Sequence, residues 1–138
     1  MAFPAALRTA RFWKWTYFTW FVILCILSSL SKPGPHIDIV GIDKVEHFTY
    51  FTCGGIALGL ALSLRPNFTI KPLALAGIIA LVGSSVGWFD EWHQSFTPGR
   101  SGLDVYDWIA DLLGSLCAGC LIQPIRRRLL RNRTGETG

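Results

Sequence analysis

Residues 72–88 read PLALAGIIALVGSSVGW, an apolar run without a charged side chain. Proline at the start of the run suits the first turn of a helix, and an apolar helix of about this length can cross the hydrocarbon core of a bilayer. The whole chain agrees, because 51% of its 138 residues are hydrophobic and only 16% are charged. This composition predicts a membrane protein and argues against a water-soluble globule.

Three more apolar segments accompany this run, at about residues 15–31, 43–64 and 104–122. Helix-ending residues separate them, as in the Lys-Pro-Gly-Pro sequence at 32–35. Four spans of about 20 residues each leave only short loops in a chain of this length. The sequence therefore predicts an all-α fold with a single domain over residues 1–138, built as a bundle of four transmembrane helices.

Charged residues are divided unevenly between the two sides that alternate loops define. One side holds most of the basic residues, namely Arg8, Arg11, Lys14, Arg65, Lys71, Arg126, Arg127, Arg128, Arg131 and Arg133. The other side holds Lys32, Lys44 and Arg100. Because basic loops stay in the cytoplasm, both termini are predicted to be cytoplasmic. The acidic residues show the opposite bias, with only Glu136 on the inner side, and we look for function at the acidic, outer ends of the helices.

Small residues and cysteines are expected to serve packing. Two GxxxG pairs, Gly55 with Gly59 and Gly83 with Gly87, predict that the second and third helices pack on each other through these faces. The four cysteines lie in apolar stretches, where packing is expected in place of disulfide or redox chemistry.

Two terminal features have competing interpretations. The basic tail at residues 123–138 could attract nucleic acid, but beside a span it more often rests against the anionic inner leaflet, so we predict no nucleic-acid partner. The Ser-Leu-Ser sequence at 29–31 would suit signal-peptide cleavage. The apolar segment before it is longer than that of most signal peptides, which favours an uncleaved first span.

Polar residues recur at helical spacing near the outer ends of the second, third and fourth predicted helices. The stripes are Asp43, His47, Tyr50 and Gly54 on the second helix, Glu91 and Gln94 on the third, and Asp104, Asp107, Asp111 and Ser115 on the fourth. Ionisable groups are costly in lipid, so these side chains are expected to turn inward and meet. Such a cluster of ionisable groups inside a membrane protein indicates a functional site.

Several of these residues also have a structural interpretation. Asp43 and Asp104 stand where helix N-caps are preferred, and Asp43 with Glu46 resembles a capping box. His93 suits the wet interface of a membrane. Each of these residues therefore has a structural role that competes with a role in the site.

Arg100 lies in the Pro-Gly turn between the third and fourth predicted helices, close to the carboxylates. Its guanidinium could form an ion pair with Asp107 or Glu91. Alternatively it could bind a phosphate or carboxylate carried by a ligand. The sequence leaves both roles open.

Sequence blocks around these residues resemble those of a known family. The blocks are DKVEHF at 43–48, DEWHQ at 90–94, FTPGR at 96–100 and DWIAD at 107–111 before Gly114. They resemble the DKxxHF, E-x-x-Q, PGR and DxxAD or DxxAN blocks of the VanZ-like family of small bacterial membrane proteins. Several spaced blocks in the right order are more specific than one short motif. The resemblance covers about residues 43–119.

The resemblance implies a multi-pass protein of the bacterial cytoplasmic (inner) membrane. The founding member of the family is associated with resistance to teicoplanin, a glycopeptide that acts on the cell wall. An outward-facing polar pocket then fits a task near lipid-linked or wall-building molecules. The chain departs from the family pattern at Phe51, where a tyrosine is usual, with Tyr50 one residue earlier, and at Asp111, where many members have asparagine.

The favoured hypothesis is a membrane protein whose pocket binds an anionic outer-leaflet lipid or a cell-envelope precursor. Arg100 would contact the anion, with Asp43, Lys44, Tyr50 and Gln94 as the other ligand-binding residues. This function requires no chemical step, and the sequence does not specify an oligomeric state.

The alternative is a membrane-embedded hydrolase or transferase acting on a lipid-linked envelope substrate. His47 or Glu91 would act as general base, with Asp107 and Asp111 completing the catalytic set and Arg100 stabilising negative charge. The sequence contains no GxSxG, HExxH or P-loop motif, so no known nucleophile is indicated. A divalent metal could lie among His47, Glu91, Asp107 and Asp111, since imidazole and carboxylates bind several metals, but this spacing selects none. No metal site is therefore assigned, and the sequence leaves the cofactor unknown. Proton-coupled transport and purely structural ion pairing rank lower.

Overall fold

A computed structural model describes residues 3–31, 41–100 and 102–131 of the chain. The described residues form four α-helices after a short 3-10 helix at Ala5–Arg8, with no strand among them. The helices are α1 (Ala10–Ser28), α2 (Ile42–Ser63), α3 (Pro72–Gln94) and α4 (Val105–Arg131). The predicted all-α class is therefore confirmed. Of the features predicted from sequence, the helix-ending run at 32–35, Arg133 and Glu136 lie outside the described residues.

Helix boundaries depart from the prediction where the capping groups differ. Thr9 caps α1 by accepting a hydrogen bond from the Phe12 amide, so α1 begins before the apolar run and includes Arg11 and Lys14. Asp104 accepts a hydrogen bond from the Tyr106 amide at 2.8 Å, as expected of the residue that caps α4. That cap is confirmed.

The predicted capping box at Asp43 is wrong. Gly41 is the N-cap of α2, with φ of 81°, and no side chain caps this end. Glycine adopts this left-handed conformation without steric cost, so α2 begins early enough to place Asp43 inside its first turn. There the carboxylate faces the positive end of the helix dipole and is free to bind a neighbouring cation.

α4 is the central helix of the last three, and both α2 and α3 pack against it. α2 and α4 run in the same direction, because Phe48 lies beside Gly114 and the later residue Gly59 lies beside the later residue Ile122. α3 runs the opposite way and contacts both of them, while α1 packs mainly on α2. This arrangement brings the first turns of α2 and α4 to the same end of the bundle as the last turn of α3.

The two glycine pairs make their closest contacts with α4. Gly55 and Gly59 of α2 also meet Ile79 of α3, so the predicted packing of α2 and α3 through these faces holds only in part. A Cβ atom at Gly55 would lie 2.6 Å from the Ala118 Cβ, and one at Gly87 would lie 2.9 Å from the Asp111 Cβ. Gly83 similarly accommodates Ser115. The glycines thus bring both α2 and α3 close to α4. A GxxxG motif in the sequence indicates that some helix comes close, but it does not identify which one.

An apolar core occupies the end of the bundle where α2 and α4 finish and α3 begins. Its buried members are Leu60, Leu75, Ile79, Ala118, Ile122 and Leu129. Outside the core, many large apolar side chains are exposed, among them Leu73 at 86% and Leu81 at 69% on α3. Exposed apolar surface on this scale is typical of a protein that meets lipid or another apolar partner.

Among the described helices, α3 and α4 are long and apolar enough to cross a membrane. α1 and α2 do not meet the same combined criterion of helix length, mean hydropathy and few charged residues. Their sequences show the reason, because α1 contains many Trp, Tyr and Thr residues and α2 begins with charged and polar side chains. The free cysteines all lie within helices and form no disulfide.

Candidate functional site

The ionisable side chains predicted to meet do gather at one end of the bundle, opposite the apolar core. Lys44 is the third residue of α2 and Asp107 is the third residue of α4. Because these helices are parallel and start at the same end, the two side chains lie at one level. His47 and Asp111 follow about one turn deeper on the same helices.

Lys44 joins three carboxylates at the outermost level of this cluster. Its Nζ lies 2.6 Å from Asp107 Oδ1, 2.9 Å from Asp104 Oδ2 and 2.9 Å from Asp43 Oδ2. The hydrogen bond from Lys44 holds the pKa of the Asp104 carboxyl below its usual value. The lysine thereby ties the first turns of α2 and α4 together and offsets part of their negative charge.

A partly buried dyad below Lys44 consists of His47 and the fully buried Asp111. The His47 Nδ1 lies 2.9 Å from Asp111 Oδ1, and the Asp111 side chain has no exposed surface. This hydrogen bond fixes the ring so that Nε2 points to the remaining acids, with Asp107 Oδ2 at 3.9 Å. Such a dyad orients an imidazole either as a general base or as a metal ligand.

Glu91 reaches the same cluster from the last turns of α3. Its Oε2 accepts a hydrogen bond from the Asp104 amide at 2.7 Å, and its backbone carbonyl accepts one from the Leu103 amide at 3.2 Å. The α3–α4 loop is therefore folded back onto Glu91. The other oxygen, Oε1, is buried and has no hydrogen-bond partner among the described residues.

A second polar network adjoins this cluster and begins at Arg100. The Arg100 Nε and Nη2 donate to Gln94 Oε1 at 3.0 and 2.6 Å. Gln94 Nε2 in turn donates to Asp90 Oδ2 at 2.8 Å, and the Ser28 hydroxyl of α1 hydrogen-bonds the other oxygen of Asp90. The network thus joins the loop, α3 and α1.

The predicted ion pair of Arg100 with Asp107 or Glu91 is wrong for the part of the chain that the structure describes. The turn closed by the Arg100 amide and the Thr97 carbonyl at 3.2 Å directs the arginine back over the end of α3. The guanidinium there meets the Gln94 amide, and no described carboxylate lies within 4.0 Å of it. Arg100 therefore keeps a positive charge that no direct ion pair with a described residue cancels.

Tyr50 lies away from the cluster. Its hydroxyl donates to the Trp20 carbonyl at 2.8 Å, and its ring stacks on the Trp20 ring with centroids 5.3 Å apart. Gly54 also packs against Trp20, so the stripe predicted on α2 divides between two neighbours. His47 faces α4 while Tyr50 and Gly54 face α1, because steps of three and four residues spread a stripe around the helix.

Two members of the site were missed from sequence. Asp90 is 3% exposed and precedes Gln94 by four residues, a spacing that would have placed both on one helix face. Ser28 carries no comparable signal, because nothing in the sequence shows that α1 packs beside the end of α3. The acidic column on α4 lies as predicted, with Asp107, Asp111 and Ser115 all buried.

One group of side chains has the donor atoms of a metal site. His47, Asp90 and Glu91 each offer one nitrogen or oxygen, and these atoms lie within 4.8 Å of one another. An imidazole with two carboxylates is a ligand set that several divalent ions accept.

Comparison with models of protein families, with curated proteins and with solved structures finds no match to this chain.

Proposed function

We propose that the chain is a VanZ-like protein that crosses the bacterial cytoplasmic membrane four times, with both termini in the cytoplasm. The lengths of α1 and α2 support two further spans, since they contain 19 and 22 residues. At about 1.5 Å per residue, helices of these lengths approach or exceed a hydrocarbon core of about 30 Å. Apolar side chains on the outside of α1 also support this topology, with Phe18 54% and Ile26 55% exposed.

Cysteine labelling of intact spheroplasts tests this topology. In a chain whose native cysteines are replaced by serine, Gly99→Cys should react with a membrane-impermeant maleimide, because the α3–α4 loop lies outside. Asn67→Cys, in the α2–α3 turn, should react only after the membrane is opened. Labelling of both sites in intact cells, or of neither, would contradict four spans with this orientation.

We further propose that the polar end of the bundle binds the anionic head group of an outer-leaflet lipid or cell-envelope precursor. Arg100 carries this proposal, because its guanidinium has an amide partner and no carboxylate within 4.0 Å among the described residues. An arginine held in a fixed position with donors to spare is well suited to a phosphate or carboxylate. Lys44 supports the same function because its positive charge offsets the carboxylates of Asp104 and Asp107 at the outermost level of the cluster.

Lipid retention in nanodiscs tests this binding function. Nanodiscs that contain polyprenyl phosphate in a phosphatidylcholine background provide an anionic envelope-type lipid beside a zwitterionic one. Native mass spectrometry should show retained polyprenyl phosphate on the wild type and its loss from Arg100→Gln. Arg65→Gln, at the opposite end, is the matched control and should retain the lipid. Equal retention by all three proteins would remove Arg100 from the role, and unchanged teicoplanin susceptibility in cells that express the chain would separate binding from resistance.

The second candidate is a hydrolase or transferase that acts on a lipid-linked envelope substrate. The His47–Asp111 dyad, with its 2.9 Å hydrogen bond, favours it. His47 Nε2 would take the proton of a water or hydroxyl that attacks the terminal phosphorus, and the bond from that phosphorus to the bridging oxygen would break, with the lipid phosphate leaving. Arg100 would stabilise the negative charge that develops on the phosphate oxygens. Phosphate release from polyprenyl diphosphate should then be lost in His47→Gln and kept in His93→Gln. The absence of turnover by the wild type on such substrates favours binding alone.

A further inference from the structure

His47 presents an unusual combination of neighbours. Its Nδ1 is held by Asp111 Oδ1 at 2.9 Å, so Nε2 is the nitrogen left to face the interior of the cluster. The groups around this side of the ring are acceptors: Asp107 Oδ2 lies 3.9 Å from Nε2, and a carboxylate oxygen each from Asp90 and Glu91 lies within 4.8 Å of a ring nitrogen. A neutral imidazole would direct its lone pair at these oxygens, which is repulsive. A cation among them would make every contact favourable.

Glu91 gives an independent indication of a ligand. The residue is 3% exposed, its Oε2 accepts the Asp104 amide at 2.7 Å, and its Oε1 has no partner among the described residues. Burying a polar atom without a partner is unfavourable, and more so when the atom is charged. The carboxylate is thus fixed by one oxygen and presents the other for a group that the protein chain itself does not supply.

We propose that His47 Nε2, Asp90 and Glu91 bind a divalent metal ion of the kind of Zn²⁺ or Mn²⁺. Metal–ligand distances of about 2.0–2.2 Å place the ligands of one ion up to roughly 4 Å apart. The donor atoms here lie within 4.8 Å of one another, so small side-chain rotations close the set. One nitrogen and two oxygens suit an ion that accepts imidazole together with carboxylate.

The surroundings of the three ligands match those of known metal sites. A metal-binding histidine almost always donates its other ring N–H to a carboxylate or carbonyl, as His47 does to Asp111. Asp90 is likewise oriented by Gln94 and by the Ser28 hydroxyl. Asp107 borders the site and supplies a further carboxylate near Nε2. This inference stands apart from the proposed lipid function, because it rests on different side chains from Arg100.

The competing explanation is that His47 is a doubly protonated imidazolium paired with Asp111 and Asp107. An imidazolium would satisfy the same carboxylates without any ion, so the experiment must detect the metal itself. The full chain, purified in detergent and stripped with chelator, is incubated separately with Mn²⁺ and with Zn²⁺, passed through gel filtration and analysed for metal by mass spectrometry. The wild type should retain about one equivalent of at least one of these ions.

Glu91→Gln and His47→Gln should each weaken metal binding by about 10–100-fold. The matched controls are Glu46→Gln, an exposed acid on α2, and His93→Gln, whose ring contacts the Ser29 hydroxyl outside the ligand set. Both controls should bind as the wild type does. If neither ion is retained by the wild type, or if Glu91→Gln and His47→Gln retain it unchanged, the metal site is excluded.

A second measurement covers the case in which a ligand variant does not fold. Mn²⁺ bound to the wild type is examined by pulsed electron paramagnetic resonance, which detects hyperfine coupling to a directly bound nitrogen. Coupling to one imidazole nitrogen is expected, since His47 is the only nitrogen ligand proposed. Bound Mn²⁺ without nitrogen coupling would overturn the assignment whatever the variants do. Failure of lipid retention with this coupling present would leave the metal site intact and reject only the proposed function.

Discussion

The two ends of the bundle bury similar lengths of α2, α3 and α4 in different ways. At the apolar end, Leu60, Ile79 and Ile122 are completely buried and need only close packing. At the polar end, Glu91 and Asp111 are 3% and 0% exposed, yet each keeps a buried oxygen without a hydrogen-bond partner among the described residues. Packing alone explains the first end. At the second end, burying carboxylate oxygens without hydrogen-bond partners lowers the stability of the fold. Because this burial does not stabilise the protein, we expect it to serve function.

Asp111→Ala should have the largest effect on stability, because it removes a fully buried carboxylate that is paired with His47. Removing one member of a buried ion pair typically costs about 3–5 kcal/mol, since the other member is left without compensation. His47 would lose its 2.9 Å contact with Asp111, and Asp107 Oδ2, at 3.9 Å from Nε2, is too far away to replace that hydrogen bond. Thermal unfolding in detergent, followed by circular dichroism, measures the loss.

Asp111→Asn is the matched control for this prediction. Asparagine has nearly the same shape and can still accept the hydrogen bond from His47 Nδ1, so its effect should be much smaller than that of alanine. Equal losses in the two variants would show that the negative charge, and not the hydrogen bond, holds His47. Near-wild-type stability of Asp111→Ala would show that the polar end contributes little to folding.

Ile79→Ala should have the next largest effect, at the apolar end. Ile79 is fully buried and contacts the spaces beside Gly55 and Gly59. Truncating a buried isoleucine costs about 2–5 kcal/mol through lost burial and the cavity left behind. Leu73→Ala, on the same helix but 86% exposed, should change little in detergent. Adding Mn²⁺ or chelator should not alter the Ile79→Ala loss, because no polar group is involved.

The distance between neighbouring helices also differs along the bundle, after the polar pair and the apolar core. Substitutions at two glycines test it. Gly55→Ala should destabilise by about 1–3 kcal/mol, since the new methyl group meets the Ala118 Cβ at 2.6 Å and the Ile79 Cγ2 at 3.1 Å. Gly77→Ala meets nothing within 4 Å, so the higher helix propensity of alanine should stabilise by up to about 1 kcal/mol. Opposite signs of the shift in melting temperature are expected. The same sign in both variants would mean that α2 and α4 are not in close contact at Gly55.

Much of the fold could be predicted from the sequence because apolar runs and helix-ending residues are local signals. They specified four helices and placed most of their ends within a turn. The partner of each helix was not predictable in the same way. The glycines of α2 and α3 indicate that some helix comes close, but only the packed structure shows that this helix is α4.

The site was partly predictable for the same reason. Helical spacing identified the acidic column of Asp107 and Asp111, and it would have identified Asp90 from Gln94. The direction of a long side chain that leaves a loop depends on the loop conformation, so the sequence left Arg100 with two open roles and did not indicate its amide partner, Gln94. Contacts between distant segments, such as Ser28 with Asp90, have no local signal at all.

Backbone conformation provides the smallest and most selective test of the two ends, because each has one non-glycine residue with positive φ among the described residues. Asn67 has φ of 58° in the α2–α3 turn, and Leu103 has φ of 63° in the α3–α4 loop. Asparagine tolerates this region, whereas leucine there costs about 1–2 kcal/mol. The Leu103 amide donates to the Glu91 carbonyl, and the following amide, of Asp104, donates to the Glu91 carboxylate. The strained residue therefore lies in the loop segment that fixes Glu91. Leu103→Asn should therefore stabilise by about 1 kcal/mol and Asn67→Leu should destabilise by about the same amount, as measured by unfolding in detergent. A loss of stability in Leu103→Asn would show that the leucine side chain makes a contact worth more than the strain.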